Sequence, residues 1–423
     1  MGAVAVDRAP GRQAPPWLRH PAYAAEDDGG QGYDDAPGFS WKQREQSFPP
    51  PPPPRRNNSR KSWQAYKLRA HFKEVGWKLT FHSRVGKCGR ARYESFEAAL
   101  CGRNEGLPFY SGLIRCGSVW ECPTCMQVIA AGRAEEIRTL LEKHRAAGHA
   151  AYMLTLTLPH DAGDELRPMR RHVSRAWQFV QSGAPWKRWK KRIGFFGSVR
   201  ALEITNGVSG WHPHLHVLVL TEGKLREQTQ LEFVEFVLAR WRKAIARPNK
   251  ENGAKYREPT AEHGVTLTES HRDDYIAKLG LADEVVNGTL KKGRHGGRTP
   301  LQILHDITFG VGSEPEQRRS VQLWLEYANE MRGARQLTWS KGLKEAYAIP
   351  EQTELELAFA EEADVHKVLY TFKNEDWDNL IANNIPLRLQ LAELAMLDLP
   401  PEQLEERITR LLDRARGLPA VPF

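Results

Sequence analysis

Three histidines alternate in the stretch GWHPHLHVLVL, Gly210 to Leu220, and an unbroken aliphatic run follows them. On a β-strand this alternation puts His212, His214 and His216 on one face, while Pro213, Leu215, Val217 and Val219 take the other. Same-face neighbours lie about 7 Å apart along a strand, close enough for two imidazole tips to converge on one ion. The residues before this stretch read as a second strand, and the turn formers NGVSG join the two. With the turn centred on Val208–Ser209, Glu203 stands opposite His214, their Cβ atoms about 5 Å apart. Apolar Leu202 and Ile204 flank Glu203, so its carboxylate shares the histidines' face. Two imidazoles and one carboxylate leave open positions on a divalent ion, as a catalytic metal requires and a closed structural metal does not. The competing reading is a set of half-exposed strand histidines with backbone partners.

A second reactive pattern is HRDDYIAKLG, residues 271–280. Tyr275 and Lys278 are three apart and share a face if the segment is helical. A phenol titrates near 10 and is a poor nucleophile. A nearby metal and an ammonium lower the cost of forming phenolate, and Lys278 can meet charge on a phosphoryl oxygen. By itself Tyr-x-x-Lys equally describes a core tyrosine beside a snorkelling lysine.

CGSVWECPTC supplies Cys116, Cys122 and Cys125, and a Cys-Pro-x-Cys turn sets two thiolates on one ion. The fourth ligand of a closed, structural zinc site is then Cys88 in KCGR or Cys101 in LCGR. PWKRWKKRIG, residues 185–194, interleaves Trp186 and Trp189 with Lys187, Arg188, Lys190, Lys191 and Arg192. Bases or sugars can pack on such indoles while the cations meet phosphates. An amphipathic turn with both tryptophans in the core fits the same residues. The flexible basic segment LKKGRHGGR, residues 290–298, is another candidate DNA contact.

The elements that must position these groups follow from pattern. Residues 1–62, rich in Gly, Pro, Asp and Arg and carrying the Pro49–Pro54 run, read as a disordered tail. Residues 63–149 hold all five cysteines and then an amphipathic helix with Ile129, Ile137, Leu140 and Leu141 at helical spacing, which Gly148 ends. Residues 150–300 alternate elements: the strand AAYMLTLTLPH, a helix with Val173, Trp177 and Val180 on one face, the hairpin, a helix near 226–246, a strand near 264–270 and a helix from Asp273. This order predicts an α+β domain with helices on an antiparallel sheet. Residues 301–350 read as its helical extension. Residues 351–423 read as an acidic helical module, whose last helix opens at Pro400-Pro401 and places Leu404, Ile408, Leu411 and Leu412 on one face.

Size and charge agree with these assignments. The 423 residues are enough for two or three domains, and 40% are apolar. The Glu351-to-Phe423 segment has 15 acidic and 7 basic residues, so with a net charge of +9 overall the first 350 residues carry +17. That excess suits a polyanion such as nucleic acid, although solubility alone also accounts for it. No apolar run spans a membrane and no secretory signal is recognisable, so a cytoplasmic protein without a membrane partner is expected.

Taken in order, LTLTLPH, ALEITNGVSGWHPHLHVLVL and YIAKLG resemble the three motifs of HUH endonucleases, specifically the plasmid Rep proteins that initiate rolling-circle replication. YSGLIRCGSVWECPTC upstream and ARQLTWSKGL downstream also look like that family, so the resemblance covers roughly residues 80–345. It implies a five-stranded antiparallel sheet with the histidine strand at its centre and the tyrosine helix nearby. His214 and His216 match the HUH pair and Glu203 the acidic residue that often completes the metal set, binding Mn or Mg. Tyr275 matches the tyrosine that is joined covalently to DNA, and Lys278 its companion. His212 falls just outside the pair as a supporting or DNA-contacting residue. KCGR resembles the family's upstream cysteine, which favours Cys88 as the fourth zinc ligand.

The implied activity is a nick at a plasmid origin, presented as a single-stranded or cruciform site flanked by duplex. It yields a 5′-phosphotyrosine and a 3′-OH that primes host polymerase, with a host helicase as a further partner. The chain departs from the pattern at positions 279 and 271, which are Leu and His where several initiators carry a second nucleophile or a glutamate. Termination is therefore left to Asp274, His271 or a second subunit. Transposases and relaxases share the chemistry, but the single tyrosine on that segment counts against two-tyrosine transposases. A non-catalytic origin-binding protein with structural metals is the reading from another class.

Overall fold

The structure, a computed structural model, describes residues 60–79, 84–102, 107–269, 297–359, 367–397 and 399–417. Helices α1 (Arg60–Leu79) and α2 (Arg84–Lys87) come first, then the short strands β1 (Ala99–Gly102) and β2 (Phe109–Ser111). Helix α3 (Pro123–Ala146) leads to strand β3 (Ala150–Thr157), helices α4 (Leu166–Val180) and α5 (Gly183–Arg192), and the hairpin β4 (Phe195–Gly207) and β5 (Gly210–Thr221). Helix α6 (Glu227–Ile245) and strand β6 (Val265–Glu269) follow. After residue 296 come α7 (Pro300–Phe309), α8 (Glu314–Met331), β7 (Leu337–Trp339), α9 (Leu343–Ala346) and α10 (Glu354–Ala358). Last are β8 (Lys367–Thr371), α11 (Asn374–Asp376), a π-helical turn (Trp377–Ile381), α12 (Ile385–Ala395) and α13 (Pro401–Arg416).

The described residues form two compact units, 60–90 with 115–359 and 91–114 with 367–417. In the larger unit five strands make an antiparallel sheet in the order β6-β3-β5-β4-β7, with the histidine strand β5 at its centre. The α+β architecture expected from the element order is therefore present. The aliphatic run of β5 is buried on both sides because helices cover both faces of the sheet. Leu202, Ile204, Leu215, Val217 and Val219 face Val173 and Trp177 of α4 and Phe233 and Trp241 of α6. On the opposite face Met153, Ala201, Leu218 and Leu220 meet Ile137, Leu140 and Leu141 of α3 and Leu343 after β7.

Helix α3 starts with Pro123 at its first position, where the missing N–H costs nothing, and ends before Gly148 at φ +79°. The smaller unit has a three-stranded sheet in the order β2-β1-β8. Leu100, Tyr110 and Leu113 pack there with Trp377, Leu391, Leu404, Ile408 and Leu412. The acidic C-terminal helices thus share a core with residues 91–114, and α10 belongs to the larger unit, where its Leu357 is buried. The unit boundary falls at residue 360 where the charge pattern suggested 351. Pairing of β8 with β1, and not charge, sets it. The tail up to residue 59, the helix expected from Asp273 and residues 290–296 lie outside the described residues.

Candidate metal centres and the histidine hairpin

The β4–β5 hairpin closes through a two-residue turn at Val208–Ser209, and Gly207 pairs with Gly210. Gly210 takes φ +82°, and a Cβ there would lie 3.1 Å from Ala162 Cα, so the position favours glycine twice over. From this turn the ladder runs in register to Glu203 opposite His214. The same count places Ala201 opposite His216, and on the other side β3 pairs Thr155 with His216 and Thr157 with His214. Glu203, His214 and His216 consequently project from one face at the turn end of the sheet, beyond the apolar cluster of that face.

Glu203 Oε2 lies 3.0 Å from His214 Nε2 and 2.8 Å from His216 Nε2, and the three ligand atoms fall within 4.8 Å of one another. His216 is buried at 6% exposure, while Glu203 keeps one side open. The donor set fits a divalent cation on chemical grounds. His214 Nδ1 lies 3.3 Å from the His212 carbonyl, which only accepts, so its proton belongs on Nδ1. Its Nε2 then faces a carboxylate with a lone pair, an arrangement that calls for a second proton or a metal ion between them. Burial pushes the Glu203 carboxyl up, but the His214 and His216 imidazoles outweigh it and hold the group well below the usual carboxylate range.

His212 shares this face but turns to another partner. Its Nδ1 is 2.8 Å from Nε2 of buried His160, the last residue of LTLTLPH, and its ring packs 5.1 Å from the His214 ring. Burial, then the His214 and His160 rings, push its pKa down to about 3, so it is uncharged at neutral pH. Sequence reasoning missed Thr155 and His160. The alternating threonines of LTLTLPH were a signal, because strand parity puts Thr155 and Thr157 on one face of β3, whereas His160 lies beyond the end of that strand, where parity gives no guide.

Cys88, Cys116, Cys122 and Cys125 form a buried cluster. Cys88 follows α2, and Cys122 and Cys125 sit at the cap and first turn of α3. Their Sγ atoms are 3.5 Å apart for Cys88 and Cys125, 3.6 Å for Cys122 and Cys88, and 3.7 Å for Cys116 and Cys125. Four thiolates on a tetrahedral zinc, with Zn–S about 2.3 Å, stand about 3.8 Å apart, so the spacing matches. Hydrogen bonds from Cys116, Cys122 and Cys125 pull the Cys88 thiol below its ordinary value, whereas burial pushes Cys116 above it. Cys101 stands apart on β1, its Sγ 3.2 Å from Ser111 Oγ.

On α5 the indoles and the cations divide. Trp186 is buried, with ring centroids 5.5 Å from Phe195 and 6.1 Å from Trp177, and Trp189 packs 5.3 Å from Phe236. Trp186 is therefore a core residue closed to base stacking, whereas Trp189 is half-buried against the same core. Lys187, Arg188, Lys190, Lys191 and Arg192 are exposed, and Arg192 pairs with Glu232. The helix joins the sheet at Phe195, eight residues along β4 from Glu203, or roughly 26 Å. Its indoles also pack on the face away from Glu203, so the structure does not bring these cations to the carboxylate–imidazole cluster.

Tyr275 and Lys278 lie outside the described residues. Their flanks are placed: β6 ends at Glu269, opposite Tyr152 of β3, and the described residues resume at 297, with Arg298 bridged to Asn206, three residues from Glu203.

Residues 114–253 match the protein family described as "Replication protein". That span includes β3, the whole hairpin, α5 and three of the four clustered cysteines. Among curated proteins the chain is similar to "Protein rep" of Streptomyces lividans, at 29% identity over 61% of this chain and 70% of that protein. It is also similar to "Neomycin resistance protein" of Streptomyces cyanogenus, at 34% identity over 28% of this chain and 32% of that protein. No solved structure matches.

Proposed function

We propose that this chain, which carries a Rep replication-protein domain, initiates rolling-circle replication by nicking one strand of a plasmid origin and later rejoining it. The observation that carries the reading is the convergence of Glu203, His214 and His216 across a register-locked hairpin, with one side open. Those three side chains would hold Mn or Mg. A divalent cation there would polarise the phosphodiester and neutralise part of its charge.

The remaining chemistry belongs to the chain's own groups. Tyr275 Oη attacks the phosphorus, so an O–P bond forms to tyrosine as the bond to the 3′ oxygen breaks. The products are a 5′-phosphotyrosine and a 3′-OH, which takes up the proton the phenol gives up and primes a host polymerase. Lys278 meets the negative charge on the phosphoryl oxygens. In the reverse reaction the 3′-OH attacks the phosphotyrosine, restores the phosphodiester and returns a proton to Tyr275. His212, neutral and beside His214, contacts the strand. The α5 cations, remote from the reacting centre, bind phosphates of flanking duplex. Zinc at Cys88, Cys116, Cys122 and Cys125 would hold α2 and the start of α3 together and take no part in the reaction. The net charge of +17 over the first 350 residues supports a DNA partner.

The test uses supercoiled plasmid carrying the origin, with Mn²⁺ or Mg²⁺. Wild type should give nicked circles and a covalent protein–DNA adduct, and His214→Ala with His216→Ala should bind the origin without nicking it. Equal origin binding with no adduct from either protein would instead leave a non-catalytic origin binder.

A further inference from the structure

We propose that Thr155 is a positioning residue of the Glu203–His214–His216 centre, whose hydroxyl keeps His216 Nδ1 partnered in both neutral tautomers of the ring. The inference rests on reading those three residues as a metal centre. Thr155 and His216 are direct partners on adjacent strands, and Thr155 Oγ1 lies 3.0 Å from His216 Nδ1. The ring is buried, so it cannot exchange this contact for water without moving the strand.

The opposite edge of the same ring sets the requirement. His216 Nε2 is 2.8 Å from Glu203 Oε2. Without an ion, Nε2–H donates to the carboxylate, Nδ1 carries a lone pair, and the Thr155 hydroxyl donates to it. With an ion held at Nε2, the ring's proton must sit on Nδ1, which then donates to Thr155 Oγ1. A hydroxyl both donates and accepts, so one residue serves both states by rotating its O–H. No net proton is gained or lost by the ring, because the one released at Nε2 is matched by the one taken up at Nδ1. His214 is built differently: its Nδ1 faces a backbone carbonyl, which only accepts, so that ring is set for metal in advance. Thr157, the partner of His214, is committed elsewhere and donates to the His263 carbonyl.

The test measures Mn²⁺ binding to the full chain by calorimetry, and thermal unfolding, for wild type, Thr155→Val and Thr155→Ser. Valine keeps the shape and removes the hydroxyl, and should weaken Mn²⁺ binding about tenfold or more. Serine restores the hydroxyl and should bind as wild type does. ¹⁵N shifts of the His216 ring in wild type should move from the Nε2–H to the Nδ1–H pattern on adding Mg²⁺, which decides the matter even if the valine variant folds poorly. Wild-type Mn²⁺ affinity in Thr155→Val, or a ring whose tautomer does not change, overturns the inference while leaving the metal centre intact. Equal Mn²⁺ binding by wild type and His214→Ala with His216→Ala removes the metal centre and this inference with it.

Discussion

Cys88 Sγ lies 3.5 Å from Cys125 Sγ across 37 residues of chain, which places the fourth thiol in the turn just after α2 and not on β1. Cys88→Ser should therefore strip stoichiometric zinc and destabilise the larger unit by about 4 kcal/mol, the scale of losing a structural metal. Cys101→Ser should keep zinc and melt as wild type does. Metal content by mass spectrometry, together with melting curves, checks both.

Tyr275→Phe keeps the ring and removes the oxygen proposed to attack the phosphodiester. Nicking should fall by about a thousandfold or more, with no covalent adduct and unchanged origin affinity. Gel analysis of plasmid topology after protease treatment reads the outcome. An adduct formed by the variant would move the nucleophile to another residue.

Stability should fall with acid through buried histidines. Burial lowers the pKa of His144, bonded to Tyr347 Oη at 2.5 Å and to the Ala150 carbonyl, and of His172. A group whose pKa is depressed in the folded state stabilises above its unfolded value, near 6.5, and that contribution is lost as pH falls through the lower folded value. Melting temperature should consequently decline below about pH 6.5. His144→Gln should melt lower at neutral pH and show a shallower decline. A steeper decline in the variant would reverse the sign.

The α5 residues separate binding from packing. Lys187→Ala with Lys191→Ala removes two exposed cations and should leave melting unchanged. If each meets a phosphate, the double variant should reduce the salt dependence of duplex binding by roughly two units of slope. Trp186→Ala should instead destabilise by about 3 kcal/mol or more, because the ring fills a pocket among Trp177, Phe195 and Phe233. Filter binding over a salt series and calorimetry distinguish the two.

Much of the centre was legible because local rules determine it. A two-residue turn sets the pairing count, and strand parity then brings Glu203 to His214 with no knowledge of the rest of the fold. The helices α3, α4 and α6 were legible from apolar periodicity, and the closing glycine after α3 from its position. The direction of Trp186 was not legible, since tryptophans among lysines satisfy a packed face and a nucleic-acid face equally. Only the aromatic residues of α6 and β4 decide between them.

The sequence by itself determined the residue types, the hairpin register and therefore the carboxylate between two imidazoles, because those depend on neighbours close in the chain. The tertiary structure decided the contacts between segments far apart in sequence. It set Cys88 and not Cys101 beside the other thiols, joined residues 91–114 to the C-terminal helices and laid Thr155 against His216. Strand order and helix docking are settled by burial summed over the whole core, and no short stretch of sequence carries that sum.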